Sequence, residues 1–506
     1  MKNLYFLFLM LMAFRLNAQQ KSFVKIDKTD NEKTIIAKAA RVVPTPRQLR
    51  WQQLELTAFF HFGINTFTNK EWGDGKEDIS IFDPEQLDAE QWIKVVKDAG
   101  FRQVIITAKH YDGFCLWPSK YTTHTIEHTP YKNGKGDIVK EVANACRKYD
   151  IGFGIYLSPW DRNSATYGSD DYNTYFTNQL RELLTQYGKV DEVWFDGANG
   201  EGPNGKKQVY DFNSWYALIR KLQPQAVIAV QGPDVRWVGT ESGVGRETEW
   251  SVLPVAEQSQ EKIAASSQKD VNVIPGVLGS YKDQDRGSRS KIMNAAGLVW
   301  YPAETDVSIR PGWFYHPAED HKVKTARELM NIYFTSVGRN GVLLLNIPPD
   351  TKGLIAESDA KNLAAFAELL KTTFNHNLIK DAERNGLYGN KLNRLYDGKP
   401  ETSITPSAND STLSIEFSWK EQVRFNILAL QENIALGQRI EKFSAEYFDG
   451  NEWKTFANGT TVGYKRLLKF EEINSNKVRF KILSSRLNPV LSEFGLYYLK
   501  PDEYKN

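Results

Sequence analysis

The segment VDEVWFDGANG, residues 190 to 200, sets a carboxylate where chemistry is commonly done. Val190, Val193 and Phe195 supply the β-branched and aromatic content of a buried strand, and Gly197, Asn199 and Gly200 end it. Asp196 is thereby placed at the carboxyl end of a strand, the end at which α/β sheets present their reactive groups. It is the first candidate for a nucleophile. If it is the nucleophile of a glycosidase it needs a second carboxyl group, and a pair about 5 Å apart retains configuration while a wider pair admits a water and inverts. Glu241, Glu247 and Glu249, all in RWVGTESGVGRETEW, are available, and sequence spacing does not choose between them.

Other polar side chains recur at the same kind of place. His61 closes one apolar run, Lys109-His110 a second, and Ser158 with Trp160 a third. Side chains at the same end of successive parallel strands converge on one mouth. Each also has a structural reading: His61, between Phe60 and Phe62, has the pattern of a hydrogen-bonded core histidine. Trp72 in Glu71-Trp72-Gly73 and Trp313 in Pro311-Gly312-Trp313 are loop anchors or walls for a small ring.

The elements that must position these groups alternate. Strands are expected over Leu56–Gly63, Arg102–Ala108, Gly152–Ser158, Val190–Asp196, Ala226–Val230 and Gly341–Ile347. Helices are expected over Asp88–Ala99, Asp137–Tyr149, Tyr172–Tyr187, Asn213–Leu222, Thr325–Val337 and Ser358–Thr373, several with an acidic N-cap or a Gly stop. Such alternation forces parallel pairing through helical crossovers, so a TIM-like (β/α) barrel over residues 19–360 is the expected fold. A doubly wound open sheet is the alternative, weakened by the lack of a Gly-rich phosphate fingerprint. Between Gly232 and Pro311 the pattern loosens, as active-site loops of barrels do.

From residue 375 to 506 the texture changes. Short alternating runs at Thr412–Phe417, Arg424–Gln431, Glu441–Phe448, Arg466–Phe470 and Lys477–Leu483 predict an antiparallel β-sandwich. Asp449-Gly450-Asn451 and Asn458-Gly459 read as hairpin turns.

Composition bounds the partners. The chain of 506 residues is too long for one core, and its 41% apolar and 25% charged content is that of a globular protein. Residues 1–18 read as a signal peptide, with Lys2, the apolar run Leu4–Phe14 and a cleavage site before Gln19, implying export to the periplasm or beyond. That run is too short to span a bilayer. Its removal takes Lys2 and Arg15 and brings the formal charge from +2 to zero. A neutral chain has no whole-molecule attraction for nucleic acid or anionic lipid. Cys115 and Cys146 are expected as unpaired buried thiols and cannot form a zinc site alone.

Four ordered motifs carry a family resemblance: Phe60-His61-Phe62-Gly63, Lys109-His110-Tyr111-Asp112-Gly113-Phe114, Trp194-Phe195-Asp196-Gly197 and Arg236-Trp237-Val238-Gly239-Thr240-Glu241. Together, over roughly residues 45 to 350, the chain resembles the α-L-fucosidases of glycoside hydrolase family 29. The resemblance implies a (β/α) barrel and a retaining mechanism with Asp196 as nucleophile and Glu241 as acid/base. It implies His61, Glu71, Trp72, His110, Tyr111 and Trp313 as substrate-binding residues, with histidine donors for the sugar hydroxyls and an aromatic wall for the fucose methyl. Tyr111, where broad-range members usually carry a second His, resembles the branch acting on α-1,3- and α-1,4-linked fucose of Lewis-type glycans. Thr240 stands where such members often have Asn, which keeps Glu247 and Glu249 in reserve. No metal or organic cofactor is implied. The carboxyl-terminal region, with Leu395-Tyr396-Asp397-Gly398 and Glu493-Phe494-Gly495-Leu496-Tyr497, resembles a discoidin (factor 5/8 type C) sandwich, expected to pack against the enzyme. Two function classes follow: an exported exo-acting fucosidase, with a broad α-L-fucosidase or an α-L-galactosidase as variants, or a carbohydrate-binding protein on a barrel without turnover. Retention of two carboxylates favours the enzyme.

Overall fold

The computed structural model describes residues 21–230, 232–255, 283–383, 388–407 and 410–500. The expected signal peptide lies outside the described residues.

Eight parallel strands form a nearly closed barrel: β1 (Leu56–Phe60), β2 (Gln103–Lys109), β3 (Gly152–Leu157), β4 (Glu192–Phe195), β5 (Val227–Val230), β6 (Arg236–Trp237), β7 (Ala303–Ser308) and β8 (Val342–Asn346). Hydrogen bonding runs β5-β4-β3-β2-β1-β8-β7-β6, and the strands at its two ends, β5 and β6, are consecutive in the chain. All seven ladders are parallel.

Helices return the chain from β1, β2, β3, β4 and β7 to the next strand, and one more follows β8. They are α1 (Ala89–Asp98), α2 (Ile138–Tyr149), α3 (Asp170–Gln186), α4 (Phe212–Leu222), α5 (Ala326–Thr335) and α6 (Glu357–Phe374). The carboxylates of Asp88, Asp137 and Asp211 accept backbone N–H groups at the starts of α1, α2 and α4, as N-caps do. The apolar faces of the helices pack on the outward side chains of the strands, such as Phe60, Val104, Ile106, Val193 and Leu345.

The inward side chains alternate with these. Phe59, Ile105, Tyr156, Trp194, Val342 and Leu344 fill the barrel interior. Two carboxyl groups lie among them. Glu192 Oε2 accepts from Trp51 Nε1 at 3.0 Å and Gln103 Nε2 at 2.6 Å. Glu304 Oε1 accepts from Trp194 Nε1 at 2.7 Å. Glu192 Oε1 and Glu304 Oε2 have no hydrogen-bond partner among the described residues. Burial pushes both acids up, and the charge of Glu192 pushes Glu304 further.

Two barrel strands depart from the sequence reading. β6 is only two residues long, and β7, AETDVS, is fully buried yet carries Glu304, Thr305, Asp306 and Ser308. Each of its polar side chains makes a hydrogen bond inside the barrel, so it lacks the apolar signature of a strand.

The carboxyl-terminal region is a five-stranded, all-antiparallel sheet, in agreement with the expected barrel followed by a sandwich. Leu413–Glu432 is one strand of 20 residues where two were expected, and so is Arg466–Ser485. Their ladder slips between Ser418 and Val423, where polar Lys420, Glu421 and Gln422 interrupt the alternation. Ile440–Phe448, Trp453–Gly459 and Leu491–Tyr497 complete the sheet. Asp449-Gly450-Asn451 is the hairpin turn expected, but Asn458-Gly459 is not a turn: both residues pair within the strand, and Gly459 leaves room for the Phe443 ring.

Candidate active site

The carboxyl ends of the barrel strands meet in an aromatic-lined mouth. Asp196 follows β4 directly and is partly accessible. Its Oδ2 accepts hydroxyl hydrogen bonds from Tyr111 at 2.6 Å and Tyr156 at 3.1 Å, and its Oδ1 accepts Ala198 N–H at 2.7 Å. Burial raises its affinity for a proton, while the Tyr111 phenol, the Ala198 N–H and the Tyr156 phenol oppose that. Both phenols are pushed well up, by burial first and by the Asp196 charge, so they remain donors.

From Asp196 the residues connect in a ring. The Tyr111 ring lies 4.1 Å from His110, and His110 lies 5.7 Å from His61, centroid to centroid. His61 is 5.0 Å from the Trp313 ring, and Trp313 Nε1 donates to Glu241 Oε2 at 3.3 Å. On the other side Tyr111 meets Trp160 at 4.9 Å and Trp72 at 5.9 Å. Trp72 is 61% exposed, an open aromatic face at the rim.

Asn346, at the end of β8, fixes the orientation of His61. Its amide nitrogen donates to Ser308 Oγ at 2.9 Å and to the Trp313 carbonyl at 2.7 Å. Its Oδ1 therefore accepts, taking His61 Nδ1–H at 2.9 Å and the His61 backbone N–H at 3.2 Å. Burial lowers His61 to about 3, so the ring is neutral. With its proton on Nδ1, His61 offers Nε2 as an acceptor, where the sequence reading had expected a donor. His110 is also kept neutral by burial and by the neighbouring His61, and its Nδ1 has no hydrogen-bond partner among the described residues.

Glu71 staples a loop. Its Oε2 accepts Trp313 N–H at 2.8 Å, and its Oε1 accepts Phe314 N–H at 3.2 Å and meets His316 Nε2 at 2.6 Å. It places Trp313 against His61.

Three of the expected acids separate cleanly. Glu241 is exposed at the mouth and, among the described residues, is held by Trp313. Burial of its carboxyl and the charges of Asp196 and Glu71 raise its pKa, against the Trp313 N–H. Glu247 pairs with Arg339 and with Arg466, the latter at 2.9 Å, on the side facing the carboxyl-terminal sheet. Glu249 is buried between Arg236 and Arg246, and the two arginines outweigh the effect of burial to keep it ionised. Glu247 and Glu249 are thus structural ion-pair partners.

Lys109 does not join the mouth. The β2–β3 ladder slips between Thr107 and Lys109, and the ammonium turns into the helix layer, 2.8 Å from Asp161 Oδ2 and 3.0 Å from Gln179 Oε1. Ser158 donates to the Trp160 carbonyl at 2.7 Å and shapes that turn. Cys115 and Cys146 are buried free thiols. Among the described residues no group of three or more His, Cys, Asp and Glu is placed to hold a metal ion.

Tyr156, Asn346 and Asp306 were not expected from the sequence. The first two had a readable signal: Tyr156 shares inward parity with Ser158, and Asn346 is the one polar residue at the end of VLLLN.

The family model for α-L-fucosidase matches residues 46–374. The chain belongs to the α-L-fucosidase family. It is 42% identical over 469 residues to alpha-L-fucosidase 1 of Arabidopsis thaliana, covering 90% of this chain and 87% of that protein. A Ruminococcus gnavus GH29 fucosidase solved in complex with fucose is 31% identical, with a TM-score of 0.79 over 92% of this chain and 96% of that one. A glycoside hydrolase 29 family member from a rumen bacterium is 38% identical, with a TM-score of 0.74 over 91% and 78% of the two chains. This fucosidase is accordingly a glycoside hydrolase on a TIM-like barrel.

Proposed function

We propose that this α-L-fucosidase works by retention, with Asp196 as nucleophile and Glu241 as acid/base. The observation that carries the reading is that, of the carboxylates the sequence offered as nucleophile or acid/base, Asp196 and Glu241 bond to the aromatic side chains of the mouth, whereas Glu247 and Glu249 are held by arginines. An Asp196 oxygen attacks the anomeric carbon. As the new ester bond forms, the bond to the leaving oxygen breaks and that oxygen takes the proton of Glu241. Glu241, now ionised, removes a proton from water, whose oxygen displaces Asp196 and releases α-L-fucose. Burial raises the proton affinity of both carboxyls; three hydrogen bonds oppose it at Asp196, whereas at Glu241 one indole N–H opposes it and the charges of Asp196 and Glu71 add to it.

His61 and His110 contact the sugar hydroxyls in this reading, the former as acceptor, and Tyr111, Trp313 and Trp72 wall the pocket. Glu71 serves mainly through Trp313. The exposed Trp72 face beside Trp160 gives a platform for the sugar that carries the fucose, which supports α-1,3/1,4-linked fucose of branched, Lewis-type glycans as substrate. The carboxyl-terminal discoidin-like domain packs against the barrel, and residues 1–18 direct export.

Purified protein and an Asp196→Ala variant are assayed on a Lewis-type trisaccharide, an α-1,2-fucosylated oligosaccharide and an aryl fucoside, with the first-formed anomer read by NMR. α-Fucose released chiefly from the Lewis-type sugar, and lost in the variant, is the expected result. First-formed β-fucose would overturn retention, equal rates on both oligosaccharides the linkage preference, and full turnover by the variant the assignment of Asp196.

A further inference from the structure

β7 fixes three layers of the site from within the barrel. Glu304 holds Trp194, the residue two before Asp196. Ser308 takes the amide of Asn346, which orients His61. Between them Asp306, 4% exposed, accepts Trp237 Nε1 at 2.7 Å on Oδ1.

That middle contact belongs to a clip. Val238 N–H donates to the Glu304 carbonyl at 2.9 Å and Gly243 N–H to the Asp306 carbonyl at 3.1 Å. The chain between these bonds leaves the sheet as a turn, Gly239-Thr240-Glu241-Ser242, with Glu241 and Ser242 exposed. The turn starts at Gly239 with φ 105° and closes at Gly243 with φ 70°, conformations that other residues rarely adopt. A side chain at Gly243 would also meet Val307 and Ile332. The turn thus has fixed ends, and the Trp237 ring beneath it is tied by the Asp306 carboxyl.

We propose that Asp306 is a positioning residue that, through Trp237, fixes the Gly239–Ser242 turn and so aims Glu241 at the leaving oxygen. The proposal rests on the acid/base reading of Glu241. The groups that act on Asp306 are Trp237 from β6, Glu241 from the turn, Asp196 from β4, and Glu304 on its own strand. Burial pushes Asp306 up to about 7, with the Trp237 N–H opposing and the charges of Glu241 and Asp196 adding. A neutral Asp306 therefore supports the turn without repelling Glu241, and above that pH its charge helps hold the Glu241 proton.

The test compares kcat/KM on two substrates, an oligosaccharide whose leaving group needs a proton and a 2,4-dinitrophenyl fucoside whose leaving group does not. Asp306→Ala should lower the first by on the order of tenfold to a hundredfold and the second by less than about threefold. Asp306→Asn keeps an oxygen for Trp237, so it should restore most of the ratio while the alkaline limb of kcat/KM moves to lower pH. Trp237→Phe removes the same hydrogen bond from the other side and should reproduce the split, which keeps the test alive if Asp306→Ala gives no cooperative melt. Equal losses on both substrates in the Asp306→Ala and Trp237→Phe variants would overturn the proposal. Glu241→Gln is run alongside: a split there without one at Asp306 refutes the proposal alone, and no split at Glu241 refutes the reading beneath it.

Discussion

The carboxyl pair inside the barrel makes stability depend on pH in a calculable direction. Glu192 and Glu304 are both fully buried, each with one oxygen unpartnered among the described residues, and both bind protons more tightly than in the unfolded chain. A group whose folded pKa is raised contributes stability that is complete below its unfolded pKa, near 4.3 for Glu, and is lost as pH rises towards the folded value. Between pH 5.5 and 7.5 the unfolded chain has given up the proton and the pair keeps it, at a cost of about 1.4 kcal/mol per pH unit. One retained proton therefore removes about 3 kcal/mol over the interval, several degrees in Tm. In Glu192→Gln the amide oxygen still accepts from Trp51 and Gln103, and the amide nitrogen replaces a titrating oxygen. Calorimetric scans at half-unit steps should show the wild-type Tm falling across the interval and the variant falling by about half as much or less, with the variant the more stable at pH 7.5. Parallel curves for the two proteins would refute the argument that this pair titrates with folding.

The other acids of the 241–249 stretch give a sharp contrast. Glu247→Gln, at an exposed carboxylate whose partners are Arg339 and the buried Arg466, should leave kcat/KM within about twofold and cost about 1–2 kcal/mol, whereas Glu249→Gln strands two buried arginines and should cost about 3–5 kcal/mol in a denaturant melt; a stable, inactive Glu247→Gln would contradict the site geometry. Asn346→Ala frees both His61 and the Trp313 loop and should raise KM on the order of tenfold with a smaller fall in kcat; steady-state kinetics with KM unmoved would show that His61 needs no such support. Trp72→Ala, at an exposed ring, should change stability by less than about 0.5 kcal/mol while raising KM for the branched oligosaccharide more than for an aryl fucoside.

How far the sequence could be read follows from where each residue finds its partners. The barrel was legible because β1 to β5 and β8 carry apolar side chains on both faces and their helices carry acidic caps, local signals that survive in any context. Asp196 was legible because an apolar strand ends on it. β7 was not, because its inward face is built of a carboxyl, a carboxyl and a hydroxyl, each paid for by an indole or an amide from elsewhere. The choice among Glu241, Glu247 and Glu249 was hidden for a similar reason: Arg466, which occupies Glu247, is 219 residues away. Lys109 was misplaced because a single slip in the β2–β3 ladder turned its side chain to the other layer. The two long strands of the carboxyl-terminal sheet were each divided because polar residues at their bends mimic turns.

The seam between barrel and carboxyl-terminal sheet runs through the segment that follows Glu241. Gln438 reaches across to the Glu249 carbonyl and the Ser251 N–H, Arg466 to the Glu247 carbonyl, and Thr460 to Thr248, while Ile427, Leu467 and Leu499 join the apolar cluster of the barrel. A chain ended after α6 would therefore lose more than an accessory module. It would open one wall of the barrel to water and strip the outer lining from the strap that carries Glu241, so that what reads in sequence as a place to cut is, mechanically, a weld.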